Sequence, residues 1–303
     1  MRLVGSSSPI AQIYVHLFTV PGLERGEQAQ AWIDRYYTDF ESLRTAGLDA
    51  LVITGANVAN PSLADEPFWD PLADVISWAA ENTTSVLCSC LATHALVKQL
   101  HGIERTRLPS KRWGVFPHRV LDRSHPLLTH ANTRFDVPHS RWNEVYRADL
   151  ERAGLAVLVE SEEAGVHMAV SADGLRIVYF QGHPEYDRVS LLKEYKREVL
   201  RYLAGELDAP PPHPEHYFPE AAKRIADTYV AQASACRDRG DPLPPFPEAE
   251  LEPWPDDTWG DSARSIFNNW LGLVYRLTAT DRSVPFAAGI DPNDPLGWRP
   301  RAT

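Results

Sequence analysis

The sequence predicts an α/β protein built on a doubly wound, mostly parallel sheet. Apolar β-type runs alternate with segments of helical periodicity along the first part of the chain, and this alternation of strands and helices is typical of such folds. Leu48 to Thr54 is continuously apolar, as is typical of a strand buried on both faces of a parallel sheet. The apolar run from Ser85 to Cys88 turns at Ser89 and Cys90 into a helical segment. Sites in such folds lie at the carboxyl ends of the strands.

The composition is that of an ordinary globular protein with an acidic balance. The 303 residues carry a formal net charge of −11, which argues against a nucleic-acid partner while leaving room for a local basic pocket. No apolar run approaches the roughly 20 residues that a membrane span needs, and the N-terminus has no signal-peptide pattern. The three cysteines do not make a disulfide framework, so we expect a reducing, cytoplasmic location.

The individual elements follow from the same periodicities. Strands are expected at Ile10 to Val20, Leu48 to Thr54, Ser85 to Cys88, Leu155 to Glu160, Val166 to Ser171 and Leu175 to Gln181, the last three as a meander. Helices are expected at Gln28 to Arg44, Trp69 to Ala80, Leu91 to Leu100, Val189 to Leu203, Ala221 to Arg237 and Ser262 to Leu277. Between these elements, the pattern predicts loops and short strands from Gly114 to Arg141.

The composition shifts after the helix that ends near Leu203. Residues 208–219 and 240–255 are rich in proline, with a helix expected between them. We therefore expect residues 1–207 to form the α/β domain and residues 208–303 to form a proline-rich extension whose last helix packs back on that domain.

Cys90 is the first candidate for chemistry. A cysteine at a strand-to-helix turn is exposed above the sheet edge, and the free N–H groups of the helix start lower the pKa of its thiol. We expect backbone N–H groups near Leu91 and at the Gly55 turn to form an oxyanion hole. Most free cysteines are small core residues, and this is the expectation for Cys88.

His183 and Glu185 are the second candidate. They lie two residues apart just past a strand end, so the histidine can act as general base for a thiol while the glutamate fixes its tautomer. Taken alone, such a pair is more often a polar turn that caps the next helix. A cysteine followed by His-x-Glu is also the chain order of the class I glutamine amidotransferase-like fold, which is of flavodoxin-like type.

Several separated motifs make the chain resemble the homoserine O-succinyltransferase family, which has that fold. The resemblance runs from about Ser8 to Arg282 and is carried by residues 48–56, 67–72, 84–96, 111–118, 138–141, 182–187, 194–198 and 268–271. It implies that Cys90 takes an acyl group from acyl-CoA as a thioester, with His183 as general base and Glu185 as its partner. The implied product is O-succinylhomoserine, in methionine biosynthesis.

The resemblance also implies residues that select the two substrates. Lys111, Ser140 and Arg197 match positions that line the acceptor site, where a planar guanidinium suits the α-carboxylate of an amino acid. Ala59 matches a position that tends to be glycine in succinyl-transferring members and glutamate in acetyl-transferring ones. Alanine neither crowds nor repels a second carboxylate, so we expect succinyl-CoA as co-substrate, with acetyl-CoA as the alternative. No permanently bound cofactor is expected, and the family suggests a homodimer.

Other interpretations stay open at this point. The acceptor could be another hydroxy-amino acid. Glutamine hydrolysis is disfavoured, because amidotransferase turns usually flank the cysteine with glycines and this chain has Ser89 and Leu91. Family members have a further first strand and a lysine-bearing loop ahead of the segment where this sequence starts. Three explanations of this difference stay open: a rearranged sheet, a start that is not the natural one, or a diverged, non-catalytic binding protein. A metal site is disfavoured because the spacing of its candidate ligands is irregular: His118, His125, His130 and His139.

Overall fold

The computed structural model describes residues 3, 5, 13–56, 58 and 60–298. The described strands are β1 (Ala50–Ile53), β2 (Ser85–Ser89), β3 (Thr106–Val120), β4 (Arg134–Glu144), β5 (Ala156–Ser161), β6 (Gly165–Val170) and β7 (Ile177–Phe180). The described helices are α1 (Glu27–Tyr36), α2 (Phe40–Ala46), α3 (Trp69–Asn82), α4 (Leu91–His101), α5 (Arg147–Arg152), α6 (Ser190–Leu203), α7 (Glu220–Arg239), α8 (Glu248–Leu251) and α9 (Gly260–Leu277). None of these helices is both long enough and apolar enough to cross a membrane.

The strands form one sheet in the order β1-β2-β7-β6-β5-β3-β4. The α/β class is as predicted, and β1, β2 and β7 pair in parallel. The other pairings are antiparallel, including the meander β5-β6-β7 that the sequence predicts. Short turns join the meander strands, and such turns allow antiparallel pairing without a crossover helix. The parallel part of the described sheet is therefore confined to the strands that end near Gly55, Cys90 and His183.

The long ribbon of β3 and β4 differs from the expectation of loops and short strands over 114–141. The two strands pair antiparallel from Thr106↔Glu144 to Arg119↔Arg134, with a register shift between Arg107 and Arg112. The ribbon is hard to recognise in the sequence because prolines and charged residues interrupt its apolar alternation. Its backbone pairing and its buried face, which includes Phe116, hold it in the sheet.

The N-terminal expectations are wrong in two places. Residues 10–12 of the expected first strand lie outside the described residues, and residues 13–20 form no strand, with Tyr14 largely exposed. The single helix expected over 28–44 is two helices, α1 and α2. Asp39 separates them because its Oδ2 accepts a hydrogen bond of 2.9 Å from the Ser42 N–H and so caps the start of α2.

Three buried apolar clusters hold the elements together. One lies between the sheet and helices α3 and α4, the second lies on the opposite side of the sheet against α9, and the third joins α6 to α7. Val86 and Leu87 on β2 belong to different clusters, since successive strand residues face opposite sides. In the second cluster, Trp270 of α9 donates a 2.8 Å hydrogen bond from Nε1 to Ser85 Oγ. Residues after 208 therefore share the buried core with the strand that leads to Cys90.

Candidate active site

Cys90 occupies the turn between β2 and α4 in a strained backbone conformation. Its φ is +55° and its ψ −117°, a region that residues with a side chain rarely adopt. The Cys90 N–H donates a 2.8 Å hydrogen bond to the Phe180 carbonyl at the end of β7. The thiol is half-buried, unlike that of Cys88. The fold thus fixes Cys90 at the sheet edge with its side chain at the N-terminus of a helix.

His183 and Glu185 lie against Cys90. His183 Nδ1 and Glu185 Oε1 are 2.8 Å apart, and the His183 side chain is hydrogen-bonded to that of Cys90. The His183 N–H donates to the Pro138 carbonyl of β4 at 2.8 Å, which fixes the loop after β7. With Nδ1–H directed at the carboxylate, Nε2 is the ring nitrogen left for the thiol. His183 therefore contacts both of the other predicted residues, Cys90 and Glu185.

The charges of this site favour a protonated His183. Burial alone disfavours the imidazolium, but the Cys90 thiolate and the Glu185 carboxylate outweigh that cost and raise the pKa of His183 to about 10. Tyr186 stacks on the imidazole with ring centroids 4.3 Å apart. A thiolate paired with an imidazolium is the reactive form of a cysteine nucleophile.

Cys88 lies in a different environment. Its thiol is fully buried, and burial raises its pKa to about 12. Thr93 donates a hydrogen bond from Oγ1 to Cys88 Sγ at 3.4 Å, which only partly opposes that shift. The side chain therefore remains a neutral thiol inside the core.

The turn after β1 lies over the start of α4. A side chain placed on Gly55 would begin 3.5 Å from the Leu91 nitrogen and 3.6 Å from the Cys90 Cβ. The structure thus brings the two predicted oxyanion-hole positions next to the nucleophile. Ala59, the predicted donor-specificity position in the same loop, lies outside the described residues.

A second polar cluster, centred on Glu194 of α6, adjoins the triad. Ser140 Oγ donates to Glu194 Oε2 at 2.6 Å, Lys111 Nζ lies 3.3 Å from the same oxygen, and Tyr186 donates to Oε1 at 2.6 Å. Burial raises the pKa of Glu194, but these donors outweigh burial and leave it below the usual value. Lys111 and Ser140 are thus brought together as predicted. Arg197, one turn along α6, lies at the rim and pairs with Glu198 at 3.3 Å.

Sequence reasoning missed three residues of this region. Ser89 Oγ lies 3.4 Å from Glu185 Oε1, Tyr186 covers the imidazole, and Glu194 joins the second cluster. Tyr186 and Glu194 both lie inside segments that carry the family resemblance, and Glu194 precedes Arg197 by one helical turn. The spacing of Glu194 and Arg197 was a usable signal, because residues three apart on a helix share a face.

The candidate metal ligands do not gather in one place. His118 and His139 stack with their Nε2 atoms 3.2 Å apart, whereas His125 packs against Trp298. His139 is fully buried beside Gly182, and burial lowers its pKa well below the usual value. His118 and His139 are therefore buried, neutral groups, whereas His130, the fourth candidate, is exposed.

An α/β fold that places a cysteine on a strand-to-helix turn against a His–Glu pair defines a protein of the cysteine-nucleophile class, suited to covalent group transfer or hydrolysis. A sequence model described as homoserine O-succinyltransferase matches residues 1–280. The chain belongs to the homoserine O-succinyltransferase family.

Similar proteins support this assignment over nearly the whole chain. The homoserine O-succinyltransferase of Methylobacter tundripaludum is 56% identical over 98% of this chain and 84% of its own length. That of Thiobacillus denitrificans is 57% identical over 98% of this chain and 83% of its own length. Among solved structures, a glutamine amidotransferase from Thermotoga maritima matches with a TM-score of 0.42 and 14% identity, covering 84% of this chain and 81% of that one. The family assignment rests on the sequence matches.

Proposed function

We propose that this protein transfers the succinyl group of succinyl-CoA to the hydroxyl of L-homoserine through a thioester on Cys90. The observation that carries the proposal is the contact of His183 with both Cys90 and Glu185 at one sheet edge, in a chain of this family. A thiolate is both a strong nucleophile and a fair leaving group, as two successive acyl transfers require. The co-substrate and the acceptor are small soluble molecules, which fits a cytosolic reaction without a resident cofactor.

In the first half-reaction, the Cys90 thiolate attacks the thioester carbonyl of succinyl-CoA. The N–H groups near Leu91 and Gly55 stabilise the oxyanion of the tetrahedral intermediate. When the intermediate collapses, the bond to the CoA sulfur breaks and the His183 imidazolium gives its proton to that sulfur. The products are succinyl-Cys90, free CoA and a neutral His183.

In the second half-reaction, neutral His183 takes the proton of the homoserine hydroxyl as its oxygen attacks succinyl-Cys90. Collapse of the second intermediate forms O-succinylhomoserine and returns the thiolate and the imidazolium. Glu185 stabilises that imidazolium through Nδ1. The cluster around Glu194 lies beside His183, so we assign the acceptor's amino-acid end to Lys111, Ser140 and Arg197, with the Arg197 guanidinium swinging from Glu198 to the α-carboxylate.

The test is the intact mass of the protein after mixing with succinyl-CoA or acetyl-CoA, followed by L-homoserine. We expect a succinyl adduct that requires Cys90, survives Cys88→Ala and is discharged by homoserine. An acetyl adduct of equal yield would favour acetyl transfer instead. A folded protein that forms no adduct with either donor would point to a non-catalytic binding protein.

A further inference from the structure

Arg105, between α4 and β3, holds the loop that follows β1. Its Nη2 donates hydrogen bonds of 3.1 Å to the Asn60 carbonyl and 2.9 Å to the Pro61 carbonyl. Glu66 fixes the same loop by accepting a 2.6 Å hydrogen bond from the Asn60 N–H. The other end of this loop is the Gly55 turn that lies over Cys90 and Leu91. Arg105 therefore fixes the loop whose first residues lie over Cys90 and Leu91.

Two donor atoms of Arg105 lack an acceptor among the described residues. Its Nε and Nη1 are shielded from solvent and make no hydrogen bond with any described residue. A shielded donor without an acceptor is costly, and more so on a charged group, so such atoms usually meet an acceptor in the working protein. Arg141 differs: its guanidinium donates to His139, to Glu144 and to backbone carbonyls.

The charge of Arg105 is attracted by several nearby groups, Cys90 among them. Burial lowers the pKa of Arg105, while the nearby Glu66 carboxylate and the Cys90 thiolate oppose that shift. An arginine remains protonated in proteins, so a fixed positive charge lies within electrostatic reach of the sulfur that carries the acyl group. Converting the thiolate to a thioester removes a negative charge there, and an acyl group that brings its own carboxylate restores one.

We propose that Arg105 recognises the distal carboxylate of the acyl group bound to Cys90. The inference rests on the proposed function and deepens it, since it names a residue that selects a dicarboxylic acyl donor. The N–H groups of Arg105 at Nε and Nη1 donate to the carboxylate oxygens, while Nη2 keeps its hydrogen bonds to the Asn60 and Pro61 carbonyls. Because guanidinium–carboxylate pairs are strong when shielded, this contact discriminates against donors that end in a methyl group.

The test compares acylation of Cys90 by succinyl-CoA and butyryl-CoA, without homoserine. The two acyl chains have the same length, and a carboxylate in one replaces a methyl group in the other. We expect the wild-type protein to prefer succinyl-CoA and Arg105→Gln to lower the ratio of the two acylation rates by about 100-fold, through the succinyl rate alone. Omitting homoserine ensures that the acceptor's carboxylate plays no part.

Two further variants separate recognition from a structural effect. Arg105→Lys keeps the charge and should retain part of the preference. Arg107→Gln removes an exposed guanidinium that stacks on Trp142 and should leave the ratio unchanged. Equal losses with both donors in Arg105→Gln, or no preference in the wild type, would overturn the assignment. If the wild type forms no adduct with either donor, the proposed function itself fails, and the role of Arg105 fails with it.

Discussion

At the scale of single residues, Cys90 combines a strained backbone with a charged partner. The positive φ turns its side chain away from the strand direction and towards the loop that carries His183. A conformation of this kind costs about 1–3 kcal/mol, and the β2–β7 pairing and the packing of α4 hold it in place. The strain and the ion pair both serve one atom, the Cys90 sulfur.

The ion pair predicts how His183 titrates. Its pKa near 10 should appear as an imidazole NMR titration with a midpoint around pH 10, and Cys90→Ala should lower that midpoint by more than about one pH unit, because the thiolate supplies the main favourable charge. Cys88→Ala is the matched control and should leave the midpoint unchanged. A wild-type midpoint near pH 6.5 would contradict the ion pair.

At the scale of elements, one amide joins the segments that carry Cys90 and His183. Gln181 lies between β7 and His183, and its side chain makes four hydrogen bonds. Oε1 accepts from the Val145 N–H at 2.8 Å and from His94 Nε2 at 3.1 Å, and Nε2 donates to the Val145 and Val166 carbonyls. Because His94 belongs to α4, the amide ties the helix after Cys90 to the loop of His183.

Removing that amide should destabilise the protein. Gln181→Met leaves the Val145 N–H and His94 buried without a partner, so we expect the free energy of unfolding to fall by about 3 kcal/mol, measured by urea denaturation. Gln99→Met removes an exposed amide that contacts only Ser77 among the described residues, and should change stability little. Equal midpoints for the two variants would show that the Gln181 network is dispensable.

The sequence was most informative where the pattern was local. The apolar run before Cys90, the His-x-Glu spacing and the long helices α3, α6, α7 and α9 all follow from short-range periodicity, and the structure has them. The β3–β4 ribbon could not be predicted this way, because prolines and charged residues interrupt its apolar alternation and backbone pairing holds the two strands together. Glu194 was missed for a similar reason: its role depends on Ser140 and Lys111, which reach it from other elements.

At the scale of the whole molecule, several buried histidines are neutral in the folded protein. Burial lowers the pKa of His94 to about 3 and that of His118 and His125 to about 4, and it moves His139 and His167 well below the usual value. Each of these rings binds a proton near pH 6.5 in the unfolded chain but not in the folded one. The stability that they contribute is therefore present above pH 6.5 and lost as the pH falls.

Acid should accordingly destabilise the fold. Between pH 6.5 and 4 the unfolded state binds more protons, and each buried histidine adds up to about 1.4 kcal/mol of lost stability per pH unit. His183 adds nothing in this range, because its raised pKa affects stability only between about pH 6.5 and 10. Urea midpoints at pH 7 and pH 5 measure the effect. His118→Gln should reduce the difference, whereas the exposed His16→Gln should not, and equal midpoints at both pH values would contradict the argument.

The pairing of Ser89 with Phe180 also bears on how the protein is made. His183 follows Cys90 by roughly 90 residues, so at a synthesis rate of about 5–20 residues per second the cysteine precedes its base by about 5–20 s. Until β7 is complete and pairs with β2, the Cys90 thiol lacks the His183 imidazole beside it. The Cys90 backbone N–H also lacks its hydrogen bond to the Phe180 carbonyl. In the nascent chain, the proposed nucleophile therefore lacks both its proposed base and its fixed position until the sheet is complete.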